Sequence, residues 1–302
     1  MDMRCVQQGV LGMGRVLQVQ GGLEARMPRV RGQPRREERE EGRDGDSAHH
    51  RGRGQPLVYR AALIGCGRVA WMLELDPLEV KPCTHMGAYE ALEKEGLVRV
   101  VAVADTDRER LEAFKERYKV KGLYSDYREM LREVRPDVVS VAAYATERRT
   151  MVLDSIEAGV KGIWCEKAFA SSLAEAHEMS GAAARNNVKI IVSHLRRWSP
   201  EFRTVKRMID EGAIGRPASV VAHFSGSLLH TGTHAFDVLL WLLGPAEWVE
   251  GGLEGDTGGF LWDRDTDPGG RATIGFSSGA YATIHADSRE YFFFEFDVMG
   301  TR

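Results

Sequence analysis

The chain has 302 residues, room for two ordinary domains, and its 43% hydrophobic and 28% charged residues are typical of a folded globular protein. Its net charge of −3 gives no global attraction to nucleic acid or to an anionic membrane. The four cysteines are scattered, which argues against a disulfide or zinc framework. No apolar run approaches the ~18 residues of a membrane span. Both observations favour a cytoplasmic protein.

Residues 1–57 differ from everything after them, because from Arg29 to Pro56 they contain almost no apolar side chains. Mixed charge without hydrophobic burial cannot offset chain entropy, so we predict a disordered leader. Two alternatives remain. One is a basic arm that binds a polyanion, which the interleaved glutamates disfavour, and the other is a start codon assigned too far upstream.

An apolar run, AALI, leads into the pattern G-x-G-x-x-A formed by Gly65, Gly67 and Ala70. The run predicts a buried strand of a parallel sheet. Gly65 permits a tight turn, Gly67 lets the backbone approach a pyrophosphate, and the small Ala70 allows close packing of a helix. The stretch predicts a dinucleotide-binding turn followed by a helix over 68–75, although a plain glycine turn is the alternative.

Strands and helices then alternate as far as residue 194. The sequence predicts strands at 98–104, 137–143, 161–165 and 188–193, and helices at 85–94, 108–118, 126–133, 147–158 and 171–186. Buried strands separated by helices of this length predict a parallel, doubly wound sheet of the Rossmann type. We therefore predict an α/β domain over residues 58–194.

Asp105 ends the strand at 98–104, where an acidic residue can accept hydrogen bonds from the adenosine ribose. It lies further from the glycines than the usual ~20 residues, and we attribute the excess to a proline-containing insertion at 76–84. Asp105 could also serve as the N-cap of the next helix. Its charge favours NAD over NADP because it repels a 2′-phosphate, although Arg108 nearby weakens this preference.

The pattern changes after residue 194. The sequence predicts helices at 200–211 and 233–243 and strands at 217–225, 271–276, 279–287 and 291–298, the last three resembling hairpins. Period-two alternation predicts an α+β domain with a largely antiparallel open sheet over 195–302. The β-forming end of the chain is either a covered last strand or, as we expect, the end of an incomplete domain.

Three stretches together resemble the Gfo/Idh/MocA family of NAD(P)-dependent oxidoreductases: LIGCGRVA, WCEKAFA and HTGTHAFDVLLWLLG. The resemblance covers about residues 58–302. It implies a Rossmann domain that holds NAD or NADP, a second domain that completes the substrate pocket, and a sugar, inositol or related polyol as substrate. It also implies a homo-oligomer formed through the open sheet, with a small-molecule substrate and no nucleic-acid or membrane partner.

The chain departs from the family pattern at three places. The family's Glu-Lys-Pro motif ends in Ala168, the usual Asp four residues before the catalytic His is His230, and a typical Thr-Pro is replaced at 144–146. A histidine can itself relay a proton near neutral pH, so we assign His230 a catalytic role. The departures also support an alternative function, a non-catalytic NAD(P)-binding sensor or partner protein.

Lys167 follows the strand at 161–165, at the edge of a parallel sheet where open α/β sheets place ligands. Its ammonium can stabilise a developing alkoxide, so the motif makes it a catalytic residue, and Glu166 is assigned to the cofactor. The alternatives are a solvated surface lysine and an ion pair with Glu166.

His234 lies near the start of the helix at 233–243, and its neutral imidazole could accept the hydroxyl proton. Its alternative role is that of a buried core histidine. Asp237, three residues further on, could orient the ring or contact substrate, unless it is a surface carboxylate. His230, His234 and Asp237 could also form a metal site, which we do not favour because Gly232 weakens a helix there and no H-E-x-x-H glutamate is present.

Arg196 and Arg197 follow the strand at 188–193. A loop arginine there could recognise a carboxylate or phosphate of the substrate, and we assign this role to Arg197. A salt bridge from Arg197 to Glu201 is the alternative.

Overall fold

The computed structural model describes residues 17–19, 58–254, 267–287 and 293–302. Two six-stranded sheets organise these residues. The predicted disordered leader lies outside the described residues except for Leu17–Val19, which form strand β1. β1 pairs in parallel with a strand near the other end of the chain.

The first sheet consists of six parallel strands in the order β4-β3-β2-β5-β6-β7. Its strands are β2 (Tyr59–Ile64), β3 (Val98–Ala104), β4 (Gly122–Tyr124), β5 (Val138–Val141), β6 (Gly162–Cys165) and β7 (Lys189–Val192). From β2 the strands are added first toward one edge of the sheet, as β3 and β4, and then toward the other edge, as β5, β6 and β7. This strand order is that of a Rossmann fold. The predicted α/β class is confirmed.

Five helices accompany these strands: α1 (His85–Lys94), α2 (Arg108–Tyr118), α3 (Tyr127–Val134), α4 (Ala145–Glu157) and α5 (Leu173–Arg185). Side-chain oxygens cap several of their N-termini, as Thr84 does for α1 and Asp107 for α2. The N-cap of α2 is therefore Asp107 and not Asp105. The sheet interior is fully buried at residues such as Leu63 and Val139, each of which contributes ~1.5–3 kcal/mol of apolar burial.

The helix predicted over 68–75 is wrong. The glycine turn is followed by an irregular turn and a 3-10 helix at Met72–Leu75. The Glu74 carboxylate at its end accepts hydrogen bonds from the backbone of Cys83 and from the backbone and hydroxyl of Thr84. These bonds tie the inserted segment to the start of α1, which explains why a regular helix does not continue.

The second sheet has the order β1-β12-β8-β11-β10-β9. Its other strands are β8 (Pro217–Ser225), β9 (Ala246–Leu253), β10 (Gly270–Phe276), β11 (Tyr281–Asp287) and β12 (Phe294–Gly300). Helices α6 (Pro200–Asp210) and α7 (Gly232–Leu243) contribute to the same hydrophobic core as this sheet. Three of its five strand pairs are antiparallel, which confirms the predicted class.

Two details of this sheet differ from the predictions. β10 and β11 form the expected hairpin, but β11 and β12 do not pair, because β8 lies between them. β8 was predicted as a strand without an assigned partner, and in the structure it pairs with both β11 and β12. β9 was not predicted at all, because all eight of its residues are exposed and give no alternating pattern. Within the part of the chain that the structure describes, no helix is long and apolar enough to cross a membrane.

Candidate active site

The glycine turn after β2 has a backbone that only glycine accommodates well. Gly65 adopts φ +99°, and a Cβ atom there would lie 2.7 Å from the carbonyl oxygen of Ala142 at the end of β5. A Cβ atom on Gly67 would meet no heavy atom within 4 Å, so open space lies beside that backbone. Ala70 is fully buried. The turn thus packs against the sheet on one side and leaves room on the other.

Asp105 braces this turn from the end of β3. Its Oδ2 accepts a hydrogen bond of 2.6 Å from the backbone N–H of Cys66, and its Oδ1 accepts one of 2.9 Å from the N–H of Asp107. Each carboxylate oxygen can accept a further hydrogen bond. Asp105 is thereby fixed beside the glycine turn, where it can also meet a ribose.

The residues present fit a nicotinamide dinucleotide. The turn lies where the strand order reverses, between β2 and β5, which is where open α/β sheets bind ligands. The space beside Gly67 admits a pyrophosphate, and Asp105 is placed for ribose hydroxyls. Tyr144, at the end of β5 and highly exposed, adds an aromatic ring to the same edge.

Lys167 lies just after β6 and reaches the second domain. Its Nζ donates a 2.7 Å hydrogen bond to the backbone oxygen of His230 and lies 3.4 Å from the Nδ1 of that histidine. The ion pair with Glu166, the alternative considered for Lys167, does not form. The Glu166 carboxylate is instead bonded to the ring of His85 at 3.0 Å.

The pKa of Lys167 is lowered to about 8, chiefly by burial, which the charge of Glu166 opposes and the charge of Arg196 reinforces. Near neutral pH the amine is therefore close to its own pKa, unlike a solvated surface lysine. A group that readily exists in both protonation states is suited to proton exchange with a substrate hydroxyl.

His234, near the start of α7, is held neutral. Burial lowers the pKa of its imidazole to about 2, and the charges of Arg196 and Lys167 add to this effect. Its Nδ1 is buried without a hydrogen-bond partner in the described structure. The ring of His194, which follows β7, meets it edge to face at 5.6 Å between centroids, and burial also lowers the pKa of His194.

Asp237 does not orient His234. Both of its carboxylate oxygens accept hydrogen bonds from the Nε of Arg197, at 2.8 and 2.9 Å, and this ion pair replaces the alternative pairing of Arg197 with Glu201. Arg197 and Asp237 neutralise each other in this structure, and their assignment to the substrate stays a prediction. α7 begins at Gly232, so His230 is not on the same helical face as His234 and Asp237.

Sequence reasoning missed a buried network behind Lys167. The His85 ring is 1% exposed, its Nδ1 lies 2.9 Å from the hydroxyl of Ser140, and that hydroxyl also bonds to Tyr89. Burial raises the pKa of Glu166, but the hydrogen bond and charge of His85, together with a hydrogen bond from Ser193 and the charge of Lys167, make the net shift downward. The signal that could have revealed this network is a histidine at the start of an otherwise apolar helix face.

Arg148 of α4 was also missed. Its guanidinium is 2% exposed and donates hydrogen bonds to the backbone oxygens of Ala143 and Ala168, which follow β5 and β6. These bonds hold the loop that carries Lys167, at the position where the family pattern has proline. His194 was missed as well, although a polar residue directly after a parallel strand is a recognisable signal.

The strand order, the glycine turn and the acidic residue after β3 define a dinucleotide-binding protein of the Rossmann class. The chain belongs to the GFO/IDH/MocA family. Residues 59–194 match the oxidoreductase family with an NAD-binding Rossmann fold, and residues 222–302 match the GFO/IDH/MocA C-terminal domain. The resemblance read from the sequence is confirmed.

Named relatives share the family. D-apiose dehydrogenase of Paraburkholderia graminis is 33% identical over 159 residues, which cover 53% of this chain and 38% of that protein. Inositol 2-dehydrogenase of Salmonella typhimurium is 27% identical over 200 residues, 62% of this chain and 55% of that protein. The chain thus covers less than two thirds of either relative. The structure of levoglucosan dehydrogenase with NADH has a similar fold, with a TM-score of 0.69 at 22% identity over 81% of this chain and 72% of the other.

Proposed function

We propose that this protein is a nicotinamide-dependent oxidoreductase that transfers hydride between NAD and an alcohol carbon of a sugar, inositol or related polyol. The observation that carries the proposal is the position of Lys167, which extends from the cofactor edge of the Rossmann sheet to the second domain. Its amine has a lowered pKa and lies near the buried His234. The D-apiose and inositol dehydrogenases among the relatives support this class of substrate.

The chain's own residues divide the proton chemistry between them. A bound nicotinamide supplies hydride acceptance or donation. Lys167, with a pKa of about 8, accepts the hydroxyl proton in oxidation and returns it in reduction. His234 stays neutral and hydrogen-bonds to the same hydroxyl without becoming charged. The sequence predicted that His234 accepts the proton and that Lys167 stabilises the alkoxide. The roles are reversed here, because a buried His234 imidazole with a pKa of about 2 is a weak base.

Asp105 favours NAD over NADP. Its carboxylate is fixed by the N–H groups of Cys66 and Asp107, so it cannot easily turn away from a 2′-phosphate. Fluorescence titration with NADH and NADPH should show tighter binding of NADH, and Asp105→Asn should narrow the difference. Equal affinities in the unmodified protein would refute the preference, and no binding of either cofactor would refute the proposed function.

The catalytic role of Lys167 is tested with Lys167→Met and a matched control, Lys94→Met, which changes an exposed lysine at the end of α1. Across a panel of alcohols, Lys167→Met should lower kcat by about 100-fold or more while the NADH affinity changes little. The control should keep both values. Equal losses of turnover and cofactor affinity in Lys167→Met would assign this lysine to the nucleotide instead.

A non-catalytic NAD(P)-binding sensor is the second candidate, and one observation favours it. The carboxylate that could orient His234 is paired with Arg197, which leaves the Nδ1 of His234 without a described partner. A chain that binds NADH but turns over no alcohol, and that gains activity in His230→Asp, would establish the sensor. Turnover by the unmodified chain excludes it.

We also propose a cytoplasmic homo-oligomer assembled through the open face of the second sheet. Large apolar side chains are exposed there, including Trp248 of β9 and Tyr281 of β11, which both lie in register with Gly275 of β10. A second copy of the chain would cover them. Sedimentation analysis should show an oligomer that Trp248→Asp with Tyr281→Asp converts to monomers, whereas an oligomer unaffected by both changes would refute this interface.

A further inference from the structure

Two adjacent arginines after β7 have different environments. Arg197 is paired with Asp237, as described above. Arg196, in the 3-10 helix Leu195–Trp198, instead places its guanidinium carbon 3.7 Å from the ring centroid of Phe294 on β12. Among the residues that the structure describes, no carboxylate forms an ion pair with Arg196.

The neighbours of Arg196 are the groups of the proposed active site. Its charge contributes to the lowered pKa values of both His234 and Lys167, so all three groups are close together. Burial lowers the pKa of Arg196 itself to about 10, and no described carboxylate offsets this effect. A partly buried cation without a counter-ion is costly, and an anionic ligand would remove that cost.

The geometry also suits a planar anion. The Phe294 ring lies against the guanidinium, and the N–H donors of a guanidinium lie in its plane. In that plane a carboxylate can accept two parallel hydrogen bonds. Asp237, the carboxylate on the facing helix α7, is already engaged by Arg197 and does not compete for this position.

We propose that Arg196 binds a carboxylate of the substrate beside Lys167 and His234, so that the preferred substrate is a sugar acid or polyhydroxy acid. This inference rests on the proposed oxidoreductase function. The hydroxyl that exchanges its proton with Lys167 and the carboxylate held by Arg196 belong to the same molecule. A neutral polyol would leave the guanidinium without its partner and would bind more weakly.

The test compares matched pairs of substrates on the full chain with cofactor bound. Aldonates and uronates are each measured against the alditol or aldose of the same configuration, by kcat/KM and by the rise in melting temperature with NADH present. For at least one pair the acid should be favoured by about tenfold or more, since a charge-assisted bond contributes that much. Arg196→Gln should reduce the ratio toward one, and Arg196→Lys should retain part of it.

Arg203→Gln is the matched control, because it removes one positive charge from an exposed site on α6 and should keep the ratio. Acids that are never favoured over their neutral partners, in a chain that binds NADH, would overturn the inference while leaving the oxidoreductase proposal intact. An acid preference that Arg196→Gln does not change would also overturn it. Failure to bind either reduced cofactor would instead overturn the proposed function, and this inference with it.

Discussion

The pKa of Lys167 makes a quantitative prediction about activity. In the folded chain burial lowers this pKa from 10.5 to about 8. If the neutral amine accepts the proton, alcohol oxidation should follow the fraction of neutral Lys167. That fraction is ~50% at pH 8 and ~1% at pH 6, so the rate of hydride transfer should fall ~50-fold between them. Reduction of the ketone, which needs the charged amine, should instead decline as pH rises above 8.

The assay is single-turnover NADH formation across pH 6 to about 9.5, combined with a direct measurement of the lysine. Competitive acetylation followed by mass spectrometry gives the pKa of Lys167 without any substrate, and Lys94 serves as the exposed reference. A rate that does not change between pH 6 and 8, or a Lys167 pKa near that of Lys94, would refute the reasoning.

The same shift affects stability, with a sign fixed by proton binding. Between the folded pKa of about 8 and the unfolded value of 10.5, the unfolded chain holds the extra proton. Stability should therefore rise with pH across this window, by up to ~3 kcal/mol from the shift of about 2.5 units. In Lys167→Met this rise should be absent. The free energy of unfolding of both proteins is measured with urea at pH 7.5 and about 10. The difference between their changes with pH separates the contribution of Lys167 from that of the other titrating groups.

Two further predictions concern the residues that support the site. Gly65→Ala should lower the free energy of unfolding by ~1–3 kcal/mol and weaken NADH binding, because φ is +99° and the new Cβ would contact Ala142. Urea unfolding and NADH titration results that match those of the unmodified chain would contradict this prediction. His85→Phe removes the imidazole that pairs with the buried Glu166 carboxylate. The free energy of unfolding should therefore fall by ~2–5 kcal/mol at pH 7. This loss of stability should become smaller toward pH 5, because Glu166 then takes up a proton. A loss independent of pH would contradict the pairing of His85 with a charged Glu166. His177→Phe, at an exposed position, is the control.

The Rossmann half could be predicted from the sequence because its strands are buried on both faces. β3 is an almost continuous apolar run, and its observed bounds, Val98–Ala104, are those predicted. β9 gave no such signal, since an exposed edge strand need not alternate. The pairing of β8 with both β11 and β12 is a long-range choice that no local pattern encodes.

The residues of the site were easier to identify than their partners. The positions of Lys167 and His234 follow from motifs, but their protonation depends on burial and on charges brought from other elements. Glu166 illustrates the difference, because its partner is 81 residues away on α1 and not the adjacent lysine. Sequence spacing orders elements along the chain, whereas these contacts arise only when elements far apart in sequence have packed together.

Arg196 and Arg197 show why such assignments need the three-dimensional structure. Successive side chains in a 3-10 helix point ~120° apart, so two neighbouring arginines must face different surroundings. One therefore meets Asp237 on α7 and is neutralised, while the other meets the Phe294 ring, and no described carboxylate pairs with its charge, which acts on His234. The sequence offers two equivalent candidates for substrate recognition. Because the two side chains face different surroundings, we propose Arg196, and not the predicted Arg197, as the residue that binds an anion.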